Sequence, residues 1–154
     1  MLEKQISLRW IACVLFVVVL LAACDQTPSV SSSSTGQMPK RQYDEKQLQA
    51  GKKLFIENCA QCHGGNAQGA PNWHQRNSDG TFPPPPLNGT GHAWHHSLAV
   101  LFDMIHNGSK PGEGNMPAWK DKLDRKQIEL VIQWFQSLWP DPLYAAWYEQ
   151  HQRL

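Results

Sequence analysis

The sequence predicts an all-α protein with long Pro- and Gly-rich loops. Apolar residues recur at helical spacing in three stretches, each with a capping residue in front and a stop signal behind. No stretch alternates apolar and polar residues strongly enough to read as a strand. Eleven Pro and eleven Gly punctuate the remainder. A length of 154 residues fits one modest domain with extensions and excludes a multidomain enzyme.

The N-terminal part reads as a targeting device. Residues 1–9 are short and slightly basic, no charge falls within residues 10–23, and that run ends in Leu21, Ala22, Ala23 and Cys24. This is the layout of a secretory signal peptide, and the run is short for a membrane span of about 20 residues. The small residues before Cys24 resemble a bacterial lipoprotein signal, which implies a diacylated Cys24 as the first residue of the processed chain. Two acyl chains anchor stably where one is marginal. An uncleaved anchor and an ordinary cleaved signal are the alternatives. Asp25 resembles an inner-membrane retention signal, so the periplasmic side of a bacterial membrane is expected, with the inner membrane slightly favoured. Residues 24–40 are Ser-rich and aperiodic, which predicts a flexible tether with a reach of about 20 Å. The folded domain is expected over residues 41–154. Of the 14 Lys and Arg and 13 Asp and Glu, 12 of each sign remain after residue 23. A near-neutral domain gives no electrostatic case for nucleic acid.

The first helix is expected over residues 44–59. Asp44 is its cap, Gln47 follows three residues later, and Leu48, Gly51, Leu54 and Phe55 share a side. Glycine costs about 1 kcal/mol against alanine inside a helix, so Gly51 points to a close helix crossing. The second helix is expected over residues 97–106. Ser97 caps it, Leu98, Leu101 and Ile105 form its stripe, and Asn107 with Gly108 stops it. The third begins after Asp124, whose capping box is completed by Gln127. Ile128, Val131, Ile132, Phe135 and Leu138 line one face, and Pro140 sets its end.

Residues 59–63 read Cys-Ala-Gln-Cys-His. C-x-x-C-H is the attachment pattern of a c-type haem. Two thiols bond the porphyrin's vinyl groups and the histidine lies beneath the iron as proximal ligand. Attachment of this kind takes place outside the bacterial cytoplasm, in agreement with an exported chain. A thioredoxin-like C-x-x-C requires a βαβ context, which is absent, and a zinc site needs a fourth ligand and other spacing. The sixth iron ligand is expected from the loop before the last helix, where Met116 precedes the rigid Pro117. A thioether is soft and neutral and raises the potential relative to a second imidazole. Met104 within the second helix, Met38 in the tether, and His92, His95, His96 or His106 are the competing ligands.

With these residues in place, residues 44–138 resemble a class I cytochrome c. Gly51 and Phe55 match its N-terminal helix pattern, Cys59, Cys62 and His63 its haem motif, and Met116 with Pro117 its distal loop. Leu130 and Trp134 match its C-terminal helix. The resemblance implies a cytochrome c fold with three main helices around one haem c. It also implies that Gly51 lets the first and last helices touch, with Phe55 and Trp134 around the crossing. Leu87, Asn88 and Gly89 resemble the family segment that approaches the proximal side. Pro86 and Leu87 are therefore expected near His63, with the Pro86 carbonyl accepting from its Nδ1. Docking in a partner's aromatic groove is the other use of this proline stretch.

Further features lie outside a minimal member of that family. His92, His95 and His96 would share a face if residues 92–96 were helical, and would then suit Cu²⁺ or Zn²⁺. Ser97 as the cap argues against that helix, leaving local hydrogen bonding or a haem propionate as their use. Trp73 and His74 are expected at the haem rim. Lys110, Lys120, Lys122 and Lys126 surround the Met loop as a candidate positive rim, diluted by Asp121, Asp124 and Glu129. Residues 139–148 carry two Trp and two Tyr. This extension is expected to wrap back onto the domain with a short helix at 142–150, a partner surface being the alternative.

The resulting expectation is a lipid-tethered monohaem cytochrome, not itself an enzyme. It would carry single electrons between protein donors and acceptors, with membrane respiratory complexes as candidate partners, outside the cytoplasmic membrane. The alternatives are a haem-containing enzyme or subunit and a copper-handling protein built on the His92, His95 and His96 cluster.

Overall fold

A computed structural model describes residue 41 and residues 43–151. The expectations for Cys24, Asp25, the tether and Met38 lie outside the described residues. Five helices follow in order: α1 (Glu45–Asn58), a single turn α2 (Ala60–His63), α3 (Leu98–Asn107), α4 (Arg125–Ser137) and α5 (Asp141–His151). A 3-10 turn, Ala93–His95, precedes α3. Among the described residues the one β feature is an isolated parallel bridge between Phe82 and Gly114. No helix among them is long and apolar enough to cross a membrane.

Local chemistry sets the helix starts. Asp44 accepts the Gln47 amide at 3.0 Å ahead of α1, and Ser97 accepts the Val100 amide at 3.4 Å ahead of α3. At α4 the capping box closes in both directions. The Gln127 amide reaches Asp124 Oδ1 at 2.8 Å and the Asp124 amide reaches Gln127 Oε1 at 2.9 Å. Each bond satisfies a donor that the helical ladder leaves open. Gly108 ends α3 at φ +77°, a conformation that favours glycine.

The core lies where α1 crosses α4. A Cβ on Gly51 would stand 2.2 Å from the Leu130 carbonyl oxygen and 3.0 Å from Trp134 Cβ, so the two backbones touch there. Beside the crossing the Phe55 and Trp134 rings lie 4.4 Å apart. Phe55, Ile128, Val131, Ile132 and Phe135 are fully or almost fully buried. Each such side chain contributes about 1.5–3 kcal/mol of transfer free energy.

Two residues of the expected stripes face solvent instead. Leu98 sits in the first turn of α3 and is exposed, so only Leu101 and Ile105 are buried on that helix. Leu138 is the C-cap of α4 and is also exposed, while the next residue, Trp139, takes the core position. The helix therefore stops at Ser137, ahead of Pro140. The Pro140 carbonyl instead accepts the amides of Leu143 and Tyr144, both at 3.0 Å, at the start of α5.

The aromatic extension packs onto the domain through α5. Trp139 and Trp147 are buried. Their indole nitrogens donate to the Leu87 and His96 carbonyls, each at 2.8 Å. Arg41, which no local pattern singles out, fastens the other side of the α4–α5 corner. Its guanidinium donates to the carbonyls of Gln136 at 3.3 Å, Ser137 at 3.0 Å and Trp139. It also pairs with Asp141 at 3.1 Å and lies over the Tyr144 ring. A cation at a helix C-terminus meets both the open carbonyls and the negative end of the helix dipole.

Candidate functional site

The C-x-x-C-H residues occupy the bend between α1 and α2. Cys59 closes α1, its amide bonded to the Phe55 carbonyl at 2.8 Å. The His63 amide then reaches back to the Cys59 carbonyl at 2.9 Å, and this turn brings both thiols and the imidazole to one cavity of about 650 Å³. Both cysteines are free, Cys59 buried and Cys62 exposed. Burial, and secondarily Cys62, push the Cys59 thiol up to about 11, with Lys122 acting in the other direction.

His63 is buried, and its Nδ1 stands 2.9 Å from the Pro85 carbonyl oxygen. A carbonyl oxygen only accepts, so Nδ1 carries the hydrogen and Nε2 holds the lone pair. Burial lowers the imidazole pKa, and the Pro85 bond opposes that shift. The ring is therefore poised as a neutral nitrogen ligand.

The acceptor is Pro85, one residue before the expected Pro86. A polyproline stretch turns once in three residues, so neighbouring carbonyls point in different directions. Pro86 is buried away from the cavity, between Gly69 and Gly91. A Cβ on Gly69 would lie 2.4 Å from its nitrogen, and one on Gly91 2.4 Å from its oxygen. Leu87 does line the cavity, held by its amide on the Ala67 carbonyl at 2.8 Å.

Met116 lines the same cavity from the segment between α3 and α4. Its backbone is fixed on both sides. The Ser109 amide donates to the Met116 carbonyl at 3.0 Å, and the Met116 amide donates to Ser109 Oγ at 3.3 Å. Asn115 reaches Thr81 Oγ1 at 3.1 Å, which ties the Met segment to the strap of prolines. A Cβ on Gly108 would meet the Met116 carbonyl oxygen at 2.7 Å, so glycine is needed there for space as well as for φ. Met104 also lines the cavity but is exposed on α3.

The histidines separate into two groups. His92 and His96 line the cavity together with Trp73 and His74. His95 instead stacks on Trp94 at 3.8 Å, and His106 stacks on Phe102. Ser97 is the cap of α3, so residues 92–96 lie outside that helix. Among the described residues no group of three or more His, Cys, Asp or Glu is arranged to hold a metal ion. None of the four lysines around the Met segment lines the cavity, and Lys122 lies over the Trp119 ring. The sequence reading missed Arg41 and the stacking of His92 on Trp73, both contacts between residues far apart in the chain.

Comparison with known proteins identifies the family. Residues 46–135 match the family model described as cytochrome c oxidase, cbb3-type, subunit III. A cbb3-type cytochrome c oxidase subunit FixP of Bradyrhizobium sp. (strain ORS 278) is 36% identical over 104 residues, which cover 66% of this chain and 30% of that subunit. A cbb3-type subunit CcoP of Azospirillum sp. (strain B510) is 34% identical over 95 residues, 62% of this chain and 30% of that subunit. A cytochrome c6 of Bryopsis maxima is 29% identical over 85 residues, 55% of this chain and 84% of that protein. No solved structure matches the chain. The likeness to oxidase subunits supports a redox role, and the chain spans about 30% of the length of the curated oxidase subunits it matches. Because the family model spans more than half of its length, this chain belongs to the family of cbb3-type cytochrome c oxidase subunit III.

Proposed function

We propose that the chain is a c-type haem electron-transfer unit, built on a cytochrome c fold, that works with or within a membrane oxidase. It would hold one haem and carry no bond-making activity of its own. The observation that carries the reading is one cavity of about 650 Å³ lined by Cys59, Cys62, His63 and Met116. Its donor set fits the group: two thiols two residues apart, a neutral imidazole with its lone pair free, and a thioether on a fixed backbone. When bound, haem supplies reversible one-electron chemistry at its iron. Cys59 and Cys62 would hold it covalently, and His63 and Met116 would supply the iron's protein ligands. The Pro85 carbonyl orients the His63 ring and raises its basicity. The apolar walls exclude water, which favours the less charged iron state and raises the potential.

The exported, lipid-anchored reading rests on Cys24 and the residues before it, with Asp25 favouring the inner membrane. The relatives' names support an oxidase assembly as electron partner. A free shuttle is the second reading, and the match to 84% of a cytochrome c6 favours it. Expression in a host that matures c-type cytochromes tests the central claim. The purified protein should gain the mass of one haem, and its ferric form should show the charge-transfer band of a bound thioether. A chain that matures without haem rejects the proposal. Crosslinking in native membranes separates subunit from shuttle, since a subunit remains attached to an oxidase after mild detergent extraction.

A further inference from the structure

The cavity has an uneven supply of charge. Among the described residues no Lys or Arg lines it, and Glu113 is the one acidic residue there. The porphyrin of a c-type haem brings two carboxylates, and this inference rests on the haem reading above. A carboxylate leaving water needs a cationic or hydrogen-bonding partner. Several polar side chains of the lining already make bonds within the protein. Asn58 donates to the Leu54 carbonyl at 2.8 Å, Asn115 to Thr81 at 3.1 Å, and Ser109 Oγ accepts the Met116 amide at 3.3 Å. The Nδ1 hydrogen of His63 goes to Pro85. The lining groups still able to become cationic are His74, His92 and His96.

His92 is the best held of these. Its ring stacks on Trp73 at 5.2 Å with 23° between the planes, and the His96 ring meets its edge at 5.5 Å. An indole face favours a cationic imidazole. His96 is fixed in turn, its amide on the Ala93 carbonyl at 3.2 Å and its carbonyl on the Trp147 indole at 2.8 Å. Among the described residues the ring nitrogens of His92 and His96 have no hydrogen-bond partner, so both remain free to donate. His92 is also exposed, which puts this pair at the cavity's solvent side, where carboxylates are least costly to place.

We propose that His92, backed by His96 and Trp73, is the docking point for the porphyrin carboxylates, and that its proton is coupled to the electron on the iron. In the cofactor-free chain the part of the His92 ring that faces the cavity is desolvated, which lowers its pKa, with His96 and His95 adding to the shift. A bound carboxylate acts in the opposite direction. The other titratable groups around it are His74 beside Trp73, His63 and Glu113 on the cavity wall, and His151 of α5 behind Trp147. Reduction adds a negative charge and so favours protonated His92. The potential should then fall as pH rises through the titration of this imidazole.

The test uses purified haem-loaded protein. Midpoint potentials are measured against pH for wild type, His92→Gln and, as a control on the exposed ring outside the cavity, His95→Gln. Wild type and His95→Gln should share a falling potential, and His92→Gln should flatten it; the thioether band, which reports Met116, is read in each variant as the check on the iron's ligands. The His92 ring signals, followed by nuclear magnetic resonance in the oxidised and reduced wild type, should report a severalfold higher proton affinity after reduction. Equal proton affinity in both redox states, or an unchanged slope in His92→Gln, overturns the proposal. The resonance measurement needs no variant and stands if His92→Gln fails to fold. Absence of haem from the wild type would instead reject the haem reading, which keeps the two failures distinct.

Discussion

The Trp139 indole donates its Nε1 hydrogen to the Leu87 carbonyl across 52 residues of chain, at 2.8 Å. One end of that bond lies in the corner between α4 and α5, and the other in the wall of the cavity that holds His63. The aromatic extension is thereby a structural support of the site. Trp139→Phe keeps most of the ring and deletes the donor. The Leu87 carbonyl then loses its partner, at a cost of about 1–3 kcal/mol. Denaturant unfolding of wild type and variant measures this, and an unchanged midpoint would show that the bond contributes nothing.

Gly51→Ala should destabilise the chain although alanine is the better helix former by about 1 kcal/mol. The new Cβ meets the Leu130 carbonyl at 2.2 Å, a backbone atom that cannot rotate away. Overpacking of this kind costs about 1–3 kcal/mol. A lower thermal midpoint with helix content retained is the expected result, and a stabilised variant would refute the close crossing.

Much of this crossing was readable because its signals are local. Asp44, Ser97 and Asp124 each cap within one turn of chain, and Gly51 is conspicuous inside a helical pattern. Pro85 was not readable. Four prolines in a row have identical local chemistry, and which carbonyl meets His63 depends on the phase of the strap after it folds back on Ala67 and Ala70. Arg41 was invisible for a related reason, since its acceptors lie 95–98 residues away. Leu98 and Leu138 fit the helical period but sit at helix ends, where the stripe runs out of partners.

On the haem reading, Met116→Ala should lower the reduction potential and open the iron to carbon monoxide or cyanide, because its thioether would favour the reduced metal and shield it from added ligands. Redox titration and ligand-binding spectra check both effects. Survival of the thioether charge-transfer band in the variant would transfer the ligand role to Met104.

In the cofactor-free chain the two thiols should differ in reactivity. Cys59 is buried with its thiol pushed up to about 11, so little thiolate exists at neutral pH, whereas Cys62 is exposed. Alkylation followed by mass spectrometry should modify Cys62 first and Cys59 only as the pH rises towards that value. Equal rates at neutral pH would contradict the burial.

Cys24→Ser should abolish acylation and leave haem attachment intact, since Cys59, Cys62 and His63 are untouched. Labelled palmitate in wild type and variant distinguishes the two chains. Equal incorporation would place the lipid elsewhere.

Arg41 also decides how the domain bears mechanical load. Among the described residues it is the first in the chain. Its side chain is riveted to the carbonyls of Gln136, Ser137 and Trp139, to Asp141 and to the Tyr144 face. Tension applied at Arg41 would therefore load the α4–α5 corner through several bonds at once. A pull at Arg41 would therefore also be felt at the cavity, since Trp139, whose carbonyl it holds, carries Leu87 of the cavity wall on its indole.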